Sequence, residues 1–173
     1  VEITKMKKNL AFAKVVKTIN EGIERVEPIC KYYFDCGGCH LMHMSYKEQL
    51  RFKKKHVLET IRRIGGVDTV INDCVGMEFP FNYRNKLIIP FKGSKAGLYR
   101  KGTHEIIDID SCHILNKEGY EIINYFKHLP VSSLIRNVLV RNSHYKNELL
   151  VVVITKKKIN LAQLGDLLKH FPN

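Results

Sequence analysis

The chain has 173 residues, of which 45% are hydrophobic and 27% are charged, a composition typical of soluble globular proteins. It contains no apolar run near the ~20 residues that a membrane-spanning helix requires. The 29 Lys and Arg residues outnumber the 17 Asp and Glu residues, and the resulting net charge of +12 favours polyanionic partners. We therefore expect a nucleic-acid-binding protein without a membrane partner.

The five cysteines indicate metal binding rather than disulfide bonding. Their number is odd and the sequence shows no secretory signal, which argues against a disulfide framework. We therefore expect a cytoplasmic protein, in a reducing compartment where thiolates are free to bind metals.

The first 26 residues alternate apolar and polar side chains. This pattern predicts two strands joined by a turn at Lys7–Asn9. Two strands are too few to bury a core of their own. We interpret residues 1–27 as the last strands of a small barrel whose beginning lies outside the sequence.

Residues 28–45 show no clear period and contain the segment CKYYFDCGGCHLMH, which reads as a loop. Cys30, Cys36 and Cys39 lie within ten positions of one another. The two glycines between the last two cysteines let the backbone approach the sulfur atoms without a Cβ clash. Three thiolates on one short loop predict a metal site that needs one further ligand.

Cys112 is the better candidate for that fourth ligand, because it directly follows a predicted hairpin strand, whereas Cys74 lies in an irregular segment. Four thiolates suit a structural zinc ion or a [4Fe–4S] cluster, and the three-plus-one spacing favours the cluster. We expect Cys74 to be a small buried residue. Of the nearby histidines, we expect one of His40 and His43 at the surface and the other hydrogen-bonded to the loop.

A basic amphipathic helix is predicted over Tyr46–Ile64. Ser45 and Glu48 fit a capping box, and Gly65-Gly66 provides the stop signal. Apolar residues recur at helical spacing, namely Leu50, Val57, Leu58, Ile61 and Ile64. Cations flank this stripe as either a solvated face or a phosphate-facing edge, namely Lys47, Arg51, Lys54, Lys55 and Arg62.

The remaining sequence predicts strands in hairpins and two more helices. The strands are predicted over Tyr83–Phe91, Ala96–Arg100, Glu105–Ile109, Leu134–Asn142 and Glu148–Thr155. The helices are predicted over Asn116–Leu129 and Leu161–Phe171, with Asn116 and Asn160 as caps. Since no βαβ unit is apparent, we expect an α+β fold with a largely antiparallel sheet.

These motifs, in this order, resemble the iron–sulfur segment of the RNA (uracil-5-)-methyltransferases. The family pattern joins a cysteine, CGGC, a histidine and Y-x-x-Q-L-x-x-K, and it falls here on Cys30, Cys36, Cys39, His43, Tyr46, Gln49, Leu50 and Lys53. The segments YRNK at Tyr83–Lys86, GLYRKGTHEIIDIDSCHIL at Gly97–Leu115 and VRNS at Val140–Ser143 also match. The resemblance covers nearly the whole chain.

The resemblance implies an S-adenosylmethionine-dependent enzyme that makes 5-methyluridine, in ribosomal rather than transfer RNA. It places a [4Fe–4S] cluster on Cys30, Cys36, Cys39 and Cys112. It also assigns residues 1–27 to the end of a TRAM domain (an OB-like barrel), residues 28–45 to the cluster loop, and residues 46–173 to an incomplete central RNA-binding domain. In the family the catalytic groups belong to a further domain, so no catalytic residue is assigned here, and the chain alone is expected to be inactive.

We expect the central domain to bind RNA as a monomer through its cations. The candidate contacts are Arg84, Lys86, Arg100, Arg141, Arg51 and Lys54. Two other functions fit the residues: a free-standing nucleic-acid-binding module with a structural zinc ion held by four cysteines, and a radical S-adenosylmethionine or redox enzyme whose cluster has three cysteine ligands.

Overall fold

The computed structural model describes residues 1–22, 24–143 and 145–171, and these form an α+β protein. Strands β1 (Glu2–Lys7) and β2 (Leu10–Lys14) pair antiparallel as a separate hairpin, which confirms the predicted pair of strands. Every side chain of the two strands is exposed to solvent. The hairpin therefore has no core of its own.

The main sheet has five antiparallel strands in the order β5-β4-β3-β6-β7. This arrangement confirms the α+β class and the hairpin connections expected from the sequence. The strands are β3 (Lys86–Lys92), β4 (Lys95–Tyr99), β5 (Ile106–Asp108), β6 (Ile135–Ser143) and β7 (Glu148–Thr155).

The core lies between this sheet and helix α2 (Lys117–His128). Ile122, Ile123 and Phe126 of the helix are completely buried, as their helical spacing predicts. They pack against alternate residues of the central strands, such as Ile89 and Val138, which are also fully buried. The opposite face of the sheet remains exposed to solvent.

Helix α1 spans Tyr46–Gly65, one residue beyond the prediction. Ser45 Oγ accepts a hydrogen bond from the Glu48 N–H at 3.2 Å, so the serine half of the capping box is present. The other half is wrong, because the Glu48 carboxylate pairs with Arg51 instead. Gly66 ends the helix in the left-handed conformation, with φ of 64°.

The apolar stripe of α1 is far less covered than that of α2. None of its residues is fully buried, and Val57 and Ile64 are exposed. The helix is the longest element of the chain and nevertheless stands largely outside the core.

Two further sequence-based predictions about helices are wrong. The single helix expected over Leu161–Phe171 is a 3₁₀ turn (Leu161–Leu164) followed by the short helix α3 (Leu167–His170). Gly165 separates the two, because its φ of 69° does not continue a right-handed helix. Asn116 precedes α2 but its side chain does not cap the helix, since its amide donates to the Glu118 carboxylate. Asn160, by contrast, does cap the 3₁₀ turn.

Within the described ranges, no helix combines the length and the apolar character needed to cross a membrane.

Candidate metal centre and nucleic-acid interface

The structure brings together the four cysteines that the sequence groups. Cys30, Cys36, Cys39 and Cys112 line one small cavity of about 20 Å³. The cavity lies between the cysteine loop (residues 30–43) and the chain that leaves strand β5. Cys36 is buried and the other three are half-buried, and all are free thiols. Cys74 lies elsewhere and is exposed, so the expectation that it is buried is wrong.

The thiols affect each other's ionisation. Burial, reinforced by the neighbouring cysteines, raises the pKa of Cys39 to about 11, and the same causes raise the pKa of Cys36. The Gly38 N–H donates to Cys36 Sγ at 3.4 Å. Four thiols in one apolar cavity become anionic readily only when a cation joins them, so their chemistry fits a thiophilic metal group.

The geometry does not form a single-ion site by itself. In the described part of the chain, no three His, Cys, Asp or Glu side chains are spaced to hold one metal ion. What the structure supplies is a shared cavity with four sulfur donors around it.

Both glycines of CGGC lie in close contact with strand β4. A Cβ on Gly37 would lie 3.1 Å from the Tyr99 carbonyl oxygen. A Cβ on Gly38 would lie 2.9 Å from Leu98 Cδ1 and 3.4 Å from Cys36 Sγ. The sequence predicted that the backbone at these glycines approaches the cysteine sulfur atoms. The structure shows that it approaches strand β4 as well.

The β4–β5 hairpin holds the cysteine loop through backbone bonds. Gly37 N–H donates to the Tyr99 carbonyl and Lys101 N–H donates to the Asp35 carbonyl, both at 2.9 Å. Cys36 and Arg100 form an isolated antiparallel bridge between these bonds. Since Cys112 follows the same hairpin, this docking brings the fourth cysteine to the other three.

Arg100 belongs to this docking contact. Its guanidinium pairs with Asp35 of the cysteine loop and, at 2.9 Å, with Glu105 of its own hairpin. The hydrogen bond to Glu105 and the charge of Asp35 raise the pKa of Arg100. The sequence placed Arg100 among the RNA contacts, whereas the structure gives its charge two carboxylate partners.

Tyr33 is the buried centre of the loop, with only 4% of its surface exposed. Its hydroxyl donates to the His40 carbonyl at 2.7 Å and lies 2.5 Å from His43 Nδ1. Lys101 places its ammonium 4.6 Å from the ring centroid and donates to the Tyr33 carbonyl at 2.9 Å. The histidine expectation is confirmed, since His43 bonds within the loop and His40 is exposed.

The positions of Tyr33 and Lys101 as packing partners of the loop were not predicted. Their contacts join residues 68 positions apart, so no local pattern announces them.

The other cations expected to bind RNA occupy three settings. Lys86 and Arg141 are exposed and directly opposite each other on β3 and β6. Arg84 is half-buried, and its backbone forms an isolated bridge to Leu115. On α1, Arg51 pairs with Glu48, and Lys54 pairs with Asp73 at 2.8 Å. Exposed pairs of this kind contribute little energy, so these cations remain available to phosphates.

A large groove borders the cysteine loop. It has a volume of about 1020 Å³ and lies between that loop, the first two turns of α1 and the segment 74–83. Its surface is mainly apolar, with aromatic rings and Lys53 at its wall.

Comparison with known proteins identifies longer relatives. No protein-family model matches the chain. It is 37% identical, over 99% of its length, to an uncharacterized RNA methyltransferase of Staphylococcus epidermidis, of which it spans 42%. Similar proteins of the same description occur in Clostridium tetani, with 37% identity over 91% of this chain, and in Listeria innocua, with 39% identity over 91%. The chain thus spans about two fifths of the length of these relatives.

A solved structure shares the fold. The tRNA (uracil-54, C5)-methyltransferase of Pyrococcus abyssi, in complex with S-adenosyl-L-homocysteine, superimposes with a TM-score of 0.61. The match covers 90% of this chain and 37% of the archaeal protein, at 24% sequence identity. At that identity the likeness establishes the architecture and nothing further.

Proposed function

We propose that this chain is the cluster-bearing, RNA-binding part of an RNA (uracil-5-)-methyltransferase. The proposal starts from its homology, over nearly its whole length, to part of the RNA methyltransferases. The observation that carries the proposal is the meeting of Cys30, Cys36, Cys39 and Cys112 at one cavity. The substrate of the whole enzyme would be RNA, ribosomal rather than transfer RNA, with S-adenosylmethionine as methyl donor.

The four cysteines would hold a [4Fe–4S] cluster, whose usual protein ligands are four thiolates. When bound, the cluster would supply a covalent link between the cysteine loop and the chain after β5. The chain's own contacts already bring the two together: Tyr33 fixes the loop from within, and Arg100 joins Asp35 to Glu105. The cluster would thus have a structural role and would help to shape an RNA-binding surface.

The alternative metal is a single zinc ion. Tetrahedral zinc with Zn–S bonds of about 2.3 Å requires sulfur atoms ~3.8 Å apart around one point. A bound zinc ion would favour the alternative function, a nucleic-acid-binding module with a structural metal. A bound [4Fe–4S] cluster would favour the uracil-5 methyltransferases.

The deciding experiment is an absorption spectrum with iron, sulfide and zinc analysis of protein purified without oxygen. We expect a broad band near ~400 nm and about four irons per chain. Cys112→Ser should lose the band, and Cys74→Ser, which changes an exposed thiol outside the cavity, should keep it. Stoichiometric zinc without iron would favour the zinc module, and a cluster that survives in Cys112→Ser would favour an enzyme with a three-cysteine cluster.

RNA binding would use the exposed face of the sheet. Lys86 and Arg141 are adjacent on that face, and the chain carries a net charge of +12. If both contact phosphates, changing both to Gln should weaken RNA binding and reduce its salt dependence by about one to two units of slope. Lys117→Gln, on α2, is the matched control, since that lysine is exposed but lies in the helix layer. An unchanged salt slope in the double variant would remove the sheet face from the proposal.

Methyl transfer itself would require chain corresponding to the rest of the relatives, of which this chain spans 42% in the Staphylococcus epidermidis protein. Residues 1–27 would then be the last strands of a TRAM barrel. The 173-residue chain should bind RNA and retain its metal group but transfer no methyl group from S-adenosylmethionine. Methylation of a uridine-containing RNA by this chain alone would contradict the assignment.

A further inference from the structure

The groove beside the cysteine loop has a fixed wall. Tyr46 Oη accepts a hydrogen bond from the Met77 N–H at 2.8 Å. Gly76 packs so closely that a Cβ there would lie 2.9 Å from Leu50 Cδ1. Gln49 adds a hydrogen bond from its side-chain amide to the Met44 carbonyl at 3.1 Å. These contacts fix α1 to the segment 74–83 on one side and to the end of the cysteine loop on the other. The walls of the groove are therefore held in place by contacts within the chain.

Aromatic rings are presented at the groove. Phe52, Phe81 and Tyr83 line it and are 43%, 40% and 49% exposed. Two of these rings have imidazole neighbours: Phe52 is parallel to His56 within 9°, and Phe81 meets His113 edge to face. Rings that are both oriented and accessible suit the stacking of unpaired bases.

Basic residues lie in and beside this apolar groove. Lys53 lines the groove, and Glu27 is the one acidic side chain in its described lining. Lys47 and Lys54 are on the neighbouring stripe of α1, and Arg84 follows Tyr83 in the sequence. An apolar protein partner would not require a cationic rim, whereas a nucleic acid offers phosphates to the rim and bases to the floor.

We propose that this groove binds single-stranded RNA, with unpaired bases stacked on Phe52, Phe81 and Tyr83 and phosphates held by Lys53 and its basic neighbours. The inference rests on the proposed RNA-binding function and adds a second contact region to the exposed sheet face. The proposal has two physical components. RNA bases would stack on the aromatic rings, and the lysines would neutralise the phosphate charges.

The test measures fluorescence anisotropy of a labelled oligouridylate with the 173-residue chain at several salt concentrations. Phe52→Leu and Phe81→Leu keep apolar bulk but remove the ring, so each should weaken binding about five- to a hundredfold without changing the salt slope. Lys53→Gln should instead lower the slope by about 0.7. Phe52→Tyr keeps the ring and should bind as the unaltered chain does.

Phe34→Leu is the matched control, because Phe34 is 61% exposed but lies outside the groove. Its affinity should equal that of the unaltered chain. Thermal unfolding followed by circular dichroism identifies any variant that fails to fold, and the Tyr and Leu variants at position 52 then separate ring loss from misfolding.

Two results would contradict the proposal that the groove binds RNA, without contradicting RNA binding by the chain. One is unchanged affinity in both Phe→Leu variants, which would leave the groove to a protein partner. The other is equal affinity for a duplex of the same length, whose paired bases have no free face to stack. If the unaltered chain binds no RNA at all, the proposed function fails together with the groove.

Discussion

The region formed by the main sheet and α2 differs from the region around α1 in how completely its apolar side chains are buried. In the first region Phe126 is completely buried, and in the second Phe52 is 43% exposed although both belong to amphipathic helices. The sheet region is therefore stabilised chiefly by burial of apolar surface. The α1 region and the cysteine loop depend more on individual hydrogen bonds and bridges, and they leave more apolar surface exposed.

The largest expected effect is on the core of the sheet region. Phe126→Ala removes a fully buried ring and should lower the free energy of unfolding by about 3–5 kcal/mol. The matched change, Phe52→Ala, truncates a ring of the same kind that is 43% exposed, and should cost clearly less, about 1 kcal/mol. Urea unfolding followed by circular dichroism measures both.

If the two substitutions destabilise the protein equally, the contrast between the regions is wrong. Equal cost would mean that α1 is part of the same cooperative core as α2.

A second prediction concerns the hairpin that brings Cys112 to the other cysteines. Gly97 lies in β4 where a Cβ would be 1.8 Å from the Ile107 carbonyl oxygen of β5, a distance that the backbone cannot accept. Gly97→Ala should therefore separate the two strands and lower stability by about 2–3 kcal/mol. The same variant should bind iron or zinc less well, because Cys112 follows the displaced strand.

Gly65→Ala is its control. Gly65 is the last residue of α1, and a Cβ added there would meet no atom within 4 Å. We expect a neutral or slightly stabilising change of up to about 1 kcal/mol, since alanine favours helix over glycine. A Gly97→Ala protein as stable and as metal-competent as Gly65→Ala would show that the hairpin does not control the site.

The sequence predicts local features of both regions well and long-range features poorly. Helix α1 has a serine cap and a glycine stop, and strand β7 ends where its apolar run ends, so both are found nearly at their predicted bounds. The prediction of a single final helix is wrong because Gly165, with φ of 69°, interrupts the right-handed helix that the apolar spacing around it predicts.

The candidate site shows the same division. Grouping the four cysteines needed only their spacing and the hairpin before Cys112. The contact of Arg100 with Asp35 was not foreseeable from spacing, because the two residues lie 65 positions apart. Ion pairs between residues so far apart in the sequence become visible only in the tertiary fold.

A third and smaller effect is expected where α2 meets the hairpin. Lys127 is largely buried, and its ammonium lies 2.6 Å from an Asp108 carboxylate oxygen and donates to the Ile109 carbonyl at 3.1 Å. Burial alone would raise the pKa of Asp108, but the bonds from Lys127 and the Ala96 N–H lower it overall. Lys127→Met should cost about 1–2 kcal/mol at pH 7.

The pH dependence gives the check on this pair. A carboxyl group whose pKa is lower in the folded state stabilises the protein above its unfolded pKa of about 3.9, and this contribution is lost as the pH falls through the folded pKa. Unfolding by urea should therefore separate Lys127→Met from the unaltered chain at pH 7, and the difference should shrink as the pH falls through the lowered pKa of Asp108 in the folded protein. A constant difference across that range would assign the cost to packing of the lysine stem.

The smallest effect tests the hydrogen bonds of the α1 region. Tyr33→Phe removes the hydroxyl that donates to the His40 carbonyl and contacts His43, a loss of about 1 kcal/mol. Because that bond holds the cysteine loop closed, the metal-free variant should expose Cys36 and Cys39 more often. Their reaction with a thiol reagent should become about fivefold faster, the ratio that this energy implies.

Cys74 provides the internal reference for this measurement, since it is exposed and should react at the same rate in both proteins. Tyr145→Phe, at a tyrosine that is 97% exposed, should change none of the rates. If Cys36 and Cys39 react at unchanged rates in Tyr33→Phe, the docking bonds from the β4–β5 hairpin suffice to hold the loop. The loop would then be an extension of the sheet region, and the boundary between the two regions would lie at α1.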